Sequence, residues 1–529
     1  MKKITKRMMA LSGVLALGLV AARAQSDSAL LDALVKKGVL SGKEAEEIRV
    51  DEEKNAPVTP ASKIAVGNYI KQIQFYGDGR LRYENIGQNF AYQNSNTVVD
   101  RERYRLRFGL VYTYSDQLSA GFELRSGTAD DTANQSFGGM FNTASINVGK
   151  IYLQYKPTDW LTLIGGKFTN PLYTTTDMTW SNDLTPEGGA ETLSFTLPLD
   201  GGSPSTSVNG KGGSSGGDSS LTVGLTAAQY IYVNSNESNN SAPFSTNNND
   251  VLIIANQIPI TWKINKDLTL KVVPGFTFYT GGGNTNYDGG VPVNYNNTGT
   301  PPQPYYVYGT NNSSNDPVFV SPNEANDLNI ISAPGEFDYK IGKLAARTYW
   351  DFDWNVTAGQ RVRDVYLGPG GAIAASGGQP ASGYGFLPTA PGATRANVTN
   401  NNQSLTDGVA WAIGEQIGQN KKKGDWSLSA EFRQIGLGSV DPNINGTDFA
   451  NSYLNQQGIK LQGIYNFTDY LTGTVTFYDT WNYKGNLYQA LGGGSNAIGG
   501  GAKPVAGTTQ YLVSQTSTQR VQVDIGWKF

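Results

Sequence analysis

Between Arg101 and Tyr114 the chain alternates with period two. Tyr104, Leu106, Phe108, Leu110, Tyr112 and Tyr114 fall on one face of a strand, and Arg101, Arg103, Arg105, Arg107 and Thr113 fall on the other. A soluble sandwich can present a polar outer face, but four consecutive arginines along it would be unusual. A closed barrel with lipid outside and water inside requires this alternation. Other segments repeat it. Leu344, Ala346, Trp350, Phe352 and Trp354 oppose Lys343, Arg347, Tyr349, Asp351 and Asp353. Trp426, Leu428, Ala430 and Phe432 oppose Ser427, Ser429, Glu431 and Arg433. At the end of the chain Val521, Val523, Ile525, Trp527 and Phe529 oppose Arg520, Gln522, Asp524 and Lys528. Each segment is about the ten residues that a tilted membrane strand needs.

The connections alternate short and long. Short turns fall near Asp116-Gln117, Pro157-Thr158-Asp159, Asn265-Lys266-Asp267, Ile341-Gly342, Asn420 to Asp425 and Phe467-Thr468-Asp469. Long Gly/Asn/Ser/Pro-rich stretches separate them, the largest at 281–326 and 356–407, and one short-turn slot is oddly long, the Gly/Ser run 201–220. The alternation predicts an all-β, antiparallel transmembrane barrel of about 16 strands over 72–529, with both ends on the short-turn side. The strands are expected at 72–85, 100–114, 119–127, 146–156, 160–168, 188–198, 221–233 and 251–264. They continue at 268–280, 327–340, 343–355, 408–418, 425–435, 454–466, 470–482 and 511–529. A barrel of that size leaves an aqueous channel rather than a packed interior.

The start of the chain reads differently. Lys2, Lys3, Lys6 and Arg7 precede an apolar stretch from Ala10 to Ala22, and Ala22-Arg23-Ala24 supplies small residues before Gln25. This is the three-part pattern of a signal peptide over 1–24, too short in its apolar part to span a bilayer. Its removal takes away five basic residues and no acids, moving the formal charge from −3 to about −8. An acidic exported chain does not suit nucleic acid as a partner. Residues 25–71 read as a periplasmic helical hairpin and linker. Leu30, Leu31, Leu34 and Val35 share a face, Gly38 is a C-cap, Ser41 and Glu44 form a capping box, and Pro57 and Pro60 follow. That segment is either a stub packing on itself or a contact element for oligomerisation. No later segment approaches 18 consecutive apolar residues, so no transmembrane helix is expected. With no cysteine and no histidine there is no disulfide framework, no Cys/His zinc site and no Ser-His or Cys-His catalysis.

Several pieces resemble the putative porin family of Gram-negative outer-membrane proteins: ALLDALVKKGVLSGKEAEEIR at 29–49, GRLRYE at 79–84, RERYRLRFGL at 101–110, and GGKFTNPLYTTTDMTWSNDLTPEGGAE at 165–191. The chain also closes on GWKF, with the terminal aromatic residue common in such barrels. The resemblance implies a pore through the outer membrane for small hydrophilic solutes, with membrane lipid around it. Large porins commonly form trimers, so it also makes a homotrimer one state to consider. It supplies no residue-level transport site, and the loops 281–326 and 356–407 match nothing in it.

Candidate functional residues therefore come from the strand register. Arg80, Arg82, Arg103, Arg105, Arg107, Arg125, Lys150 and Lys167 all point inward from the first five strands, with Asp78, Glu84 and Glu123 among them. Fixed cations on one wall of a water-filled pore attract anions. The competing reading is that they form cross-strand pairs and only hydrate the wall. The connection 169–187 carries Asn170-Pro171, Tyr173, Asp177, Trp180, Asp183, Pro186 and Glu187. Folded inward, it would constrict the pore and set Asp177, Asp183 and Glu187 against the arginines; otherwise it is an ordinary external loop. Asp441, Asn443, Asn445 and Asp448 are spaced like the start of a calcium loop, but position twelve is Ser452, so the bidentate acid is missing and an Asn/Gly turn is the better reading. No other metal site and no cofactor is expected. Glycine clusters such as 281–283, 492–494 and 499–501 lack the strand-to-helix context of a phosphate loop.

These features predict a passive diffusion channel in the outer membrane, with the wall biasing it toward anions. An enzyme is not expected, because no paired acid–base constellation is visible. A substrate-specific channel and a plugged barrel serving surface contacts stay open as alternatives. Inward Tyr76, Tyr152 and Tyr349 are too scattered to form a sugar-stacking track.

Overall fold

The computed structural model describes residues 70–90, 96–127, 133–138, 140, 143–199, 219–233, 251–280, 328–358, 408–436, 438–441, 444–452, 454–483 and 515–529. The expected signal peptide, the helical hairpin up to residue 69 and the bulk of the two longest loops lie outside these residues.

Sixteen strands form one closed antiparallel barrel. They are β1 (Gln72–Phe90), β2 (Asn96–Thr113), β3 (Leu118–Ser126), β4 (Ile146–Thr158), β5 (Leu161–Lys167), β6 (Glu187–Pro198) and β7 (Ser220–Val233). Next come β8 (Val251–Gln257 with Ile260–Lys263), β9 (Thr269–Val272 with Gly275–Tyr279), β10 (Asn329–Ser332 with Gly335–Ile341) and β11 (Leu344–Asn355). The last five are β12 (Val409–Gly418), β13 (Trp426–Ile435), β14 (Gln456–Asn466), β15 (Leu471–Asn482) and β16 (Gln515–Lys528). Each pairs with its sequence neighbours, and β1 closes the ring on β16, with Arg82 opposite Asp524 and Leu81 opposite Ile525. Closure leaves no sheet edge, so the backbone of the wall pairs between strands rather than with water.

Three strands depart from the continuous pattern expected of them. β8, β9 and β10 each break for two residues, at Pro259, Pro274 and Pro334. A proline has no N–H to give the ladder and normally avoids central strands. Here the three lie side by side, and the residue before each one keeps the seam closed. Ile258 donates to the Pro274 carbonyl at 2.8 Å, Val273 to Pro334 at 2.9 Å and Ala333 to Phe352 at 2.8 Å. A further two-residue bridge, Gln135–Ser136, pairs with Arg103 and Tyr104 of β2.

The two faces separate as the alternation requires. Phe75, Leu153, Phe195, Leu428 and Val475 are exposed on the outside, while Glu84, Arg433, Asp353, Gln522 and Thr480 are buried inside. The charged face is thus the enclosed one, the reverse of a soluble fold. Aromatic pairs such as Trp160–Phe195 and Tyr465–Phe467 lie on or beside the short-turn ends of the strands, where an interfacial girdle belongs. Among the described residues no helix is long and apolar enough to cross a membrane.

Candidate functional site: a lumen crossed by two loops

The connection between β5 and β6, residues 168–186, folds into the barrel rather than over its rim. Its path is fixed by contacts with successive walls. Tyr230 of β7 donates to Asn170 at 2.7 Å. Gln257 of β8 holds the Tyr173 backbone from both sides, accepting from its N–H at 2.7 Å and donating to its carbonyl at 3.0 Å. Lys271 of β9 sits 3.3 Å over the Tyr173 ring. Thr175 donates to the Trp350 carbonyl at 2.7 Å and Thr176 to Asp351 at 2.9 Å, with Thr179 bonded to Asp353, all on β11. Asp177 pairs with Arg433 of β13 at 2.7 Å. The loop then returns to the first strands, where Asp183 lies 3.3 Å from Arg105 and 3.5 Å from Arg107, and its carbonyl accepts from Arg125 at 3.1 Å.

A second connection, between β13 and β14, meets it. Ser181 donates to the Ile444 carbonyl and Gly446 to the Asp177 carbonyl, each at 2.7 Å. A Cβ at residue 446 would overlap the Asp177 carboxylate, so this crossing needs glycine. Asp448 then reaches β1 and β16, bonding Arg520 and Gln522 at 2.9 Å each and Arg82 at 3.3 Å. Beside it Ala450, Asn451 and Ser452 hold φ of 52°, 55° and 68°, three left-handed residues in a row. Such residues cost roughly 1–2 kcal/mol each, and the Arg520 bonds to Asn451 and to the Thr447 carbonyl help to hold them there.

The loops divide the lumen into two chemistries. On the β6–β10 side, inward Tyr230, Ile253, Tyr279 and Ile330 bury Phe168, Leu172 and Trp180 of the first loop and Ile444 of the second in one apolar cluster. Each large side chain so enclosed contributes roughly 1.5–3 kcal/mol. On the β1–β3 and β16 side lies an ionic network. Burial pushes the Asp448 carboxyl up, but the guanidiniums of Arg82 and Arg520 and the Gln522 amide outweigh it, holding the group well below the ordinary carboxylate range. Asp177 behaves likewise: burial raises it, and Arg433 with Lys460 brings it lower overall.

Seven of the eight basic residues read from the sequence are placed inside; Lys167 is not, since the ladder sets it beside the outward Ile151 and directly before the buried Phe168. Arg80 donates to Asn134 at 2.6 Å, Arg82 grips Asp524 at 2.7 and 2.8 Å, and Arg103 lies 3.8 Å from Glu84. Arg105 and Arg107 share Asp78 at 2.7 and 2.6 Å. Lys150 pairs with Glu123 at 2.8 Å, and Lys167 with Glu187 at 2.7 Å. The wall is therefore extensively paired, as the competing reading required. It is not balanced: Arg80, Arg82, Arg101, Arg103, Arg105, Arg107, Arg125, Lys150 and Arg520 stand against Asp78, Glu84, Glu123, Asp183, Asp448 and Asp524, nine cations to six carboxylates.

Of the three carboxylates expected to face the arginines, only Asp183 does. Asp177 is carried to β13 on the far side because Arg433 captures it there. Glu187 is the first residue of β6, where pairing across the β5–β6 ladder sets it opposite Lys167. The calcium reading also fails on geometry where it can be followed. Tyr279 donates to Asp441 at 3.1 Å, Asn445 donates to the Ser452 carbonyl at 3.4 Å, and Asp448 is taken by guanidiniums. Asn443 lies outside the described residues, and among those residues no group of three acids could hold a metal ion. Arg433, Arg520 and Asp524 were not singled out as site residues from the sequence, although alternation already put them on inward faces, and Asp448 was noted only as a calcium candidate.

The family comparison points to the same class of protein. Residues 85–286 match the model of the family described as putative porin, the family whose motifs the sequence resembles. No curated protein matches the chain. Among solved structures, the chain is similar to Salmonella typhi OmpF in complex with daunomycin, at 10% identity over 88% of this chain and 99% of that one, with a TM-score of 0.38. It is also similar to the high-pH structure of Pseudomonas putida OprB, at 10% identity over 86% of this chain and 94% of that one, with a TM-score of 0.41. The fold and the family match define a porin-like transmembrane β-barrel.

Proposed function

We propose that the protein is an outer-membrane diffusion channel for small hydrophilic solutes and ions, narrowed by its two inward loops and biased toward anions. The observation that carries this reading is the inverted barrel itself: sixteen closed strands with apolar residues outside and polar and charged residues inside, where cations outnumber carboxylates along β1–β4 and β16. Only such a structure, or a helix, satisfies its backbone in lipid. Solutes would pass by diffusion down their gradient, and the excess of arginine near Asp183 would raise the local anion concentration. No part of this reading requires a reacting group, and the protein is proposed not to be an enzyme. The pinning of both loops across the lumen favours a second reading, a channel specific for one class of solute.

The test is single-channel conductance of the purified protein in a planar bilayer, with the reversal potential read under a salt gradient. Stepwise conductance with anion preference supports the proposal. Stepwise conductance with cation preference keeps the channel and overturns the role of the wall. Silence from a correctly folded barrel overturns the channel and moves the reading to a plugged, structural barrel.

A further inference from the structure

The arginines of β1 and β2 are not equally satisfied. In the ladder Arg80 stands opposite Arg105 and Arg82 opposite Arg103, so four inward guanidiniums occupy two adjacent rows, with Arg80 and Arg103 as diagonal neighbours. The carboxylates sit around the edges of this square. Asp78 is taken by Arg105 and Arg107, Glu84 accepts from Arg101 at 2.5 Å, and Asp524 is gripped by both arms of Arg82. Arg80 and Arg103 get the remainder. Among the described residues, Arg80 has one carboxylate contact, Asp524 at 4.0 Å, beside its bond to Asn134. Arg103 has Glu84 at 3.8 Å. The Nε–H of each is buried with no acceptor among the described residues. A buried donor with no acceptor is costly, and two of them occur together where cations outnumber carboxylates.

We infer that Arg80 and Arg103 form a saturable binding point in the lumen for a small, doubly charged oxyanion of the phosphate type. The inference rests on the channel reading and goes beyond a general anion bias, because it names one site and one chemistry. A guanidinium presents donors in a rigid fork that matches the oxygens of an oxyanion, and a tetrahedral dianion has enough oxygens to face two forks at once. Chloride offers a single sphere and one charge, so it gains less from the same pair. The side chains are 16% and 13% exposed, which leaves them reachable from the lumen but partly shielded from bulk water, where charge-assisted bonds are stronger. The site would slow such a solute at the wall while leaving chloride to pass.

The experiment is chloride conductance in a planar bilayer at neutral pH with inorganic phosphate titrated against it, and acetate as a singly charged control. The expected result is a saturating fall in chloride current with phosphate and little with acetate. Arg80→Gln combined with Arg103→Gln should raise the half-blocking phosphate concentration about tenfold or more, equivalent to about 1.4 kcal/mol. Arg80→Lys with Arg103→Lys, which keeps the charge and loses the forks, should fall between the two. Lys340→Gln, at the turn beside Asp267, should leave the block unchanged. An open channel in which phosphate and acetate act alike, or a block indifferent to both arginine pairs, overturns the site and leaves the channel standing. A silent but folded barrel overturns the channel; titration calorimetry of that protein with phosphate then decides the site, since absence of heat of binding refutes it. Chloride conductance of the variants shows that they have folded.

Discussion

Arg433 is the side chain on which the loop crossing depends most, and its replacement by methionine gives a quantitative test. It is 1% exposed and bonds Asp177 of the first loop at 2.7 Å and Glu431 of its own strand at 2.6 Å. Its guanidinium also lies 4.7 Å over the ring of Phe449 in the second loop. At an effective dielectric of about 20, each of the two charge contacts is worth about 6 kcal/mol gross. Desolvation of three buried charges takes back most of that, so the pair as a whole adds little net stability. Breaking it is another matter. Arg433→Met leaves two enclosed carboxylates without their hydrogen-bonded cation, with only the more distant Lys460 near them, and the expected loss is about 3–5 kcal/mol.

That loss should fall on the loops more than on the wall, because the β12–β13–β14 ladder is unaffected by the change. Limited proteolysis should cut within 168–186 in Arg433→Met long before the wild type, and single-channel records should become noisier or larger. Urea titration into lipid vesicles should show the reduced stability. Adding Asp177→Asn to Arg433→Met removes one stranded charge and should restore at least 1 kcal/mol, a coupling that only neighbours show. A single variant within about 1 kcal/mol of wild type, with the loop still protected, would refute the claim that this ion pair pins the loop to the far wall.

Other outcomes follow from the same contacts. Asp448 is held below its ordinary range, so its contribution to stability is present above the unfolded value of about 3.9 and is lost as the pH falls through the lower folded value. Protease protection of 436–455 should therefore weaken only below about pH 4, and Asp448→Asn, destabilised at neutral pH, should show a flatter profile. Asp183→Asn removes the carboxylate shared by Arg105 and Arg107 and should shift the reversal potential toward anions, while Arg105→Ala should shift it toward cations. Val475→Arg places a charge on the apolar exterior and should cost about 2–4 kcal/mol in vesicle-based urea titration, whereas Thr474→Arg, facing the lumen one residue away, should cost much less.

The wall was legible in the sequence because a barrel strand has a simple code. Period-two alternation runs through most of the strands, with the enclosed side polar on the β1–β4 and β11–β16 walls, so sixteen spans could be placed within a few residues, even through Pro259, Pro274 and Pro334. The prolines escaped notice because their effect is local: the preceding N–H pairs across the seam, and the pattern of facing side chains resumes beyond it. The arginine wall was legible for the same reason. The loop path was not. Asp177 and Asp183 are six residues apart and chemically identical, yet one ends on β13 and the other on β2. Nothing local distinguishes them. What separates them is Arg433, 256 residues further along the chain and brought alongside only by closure of the barrel.

This dependence bears on selectivity as well as on folding. If the loop lay outside, Asp78 alone would face Arg105 and Arg107, and the wall would be strongly cationic. Folded in, the loop carries Asp183 to that wall, while the second loop brings Asp448 to Arg82 and Arg520, so two of the six carboxylates in the network come from loops rather than strands. The field in the lumen is therefore set by loop position as much as by strand sequence. A barrel of this kind can retune its ion preference by changing a loop without altering the register that lets it close. It can also leave one pair of guanidiniums, Arg80 and Arg103, short of carboxylates while their neighbours are neutralised. An evenly charged wall would attract anions without distinguishing them; an unevenly neutralised one has a place where the number and geometry of an anion's oxygens matter.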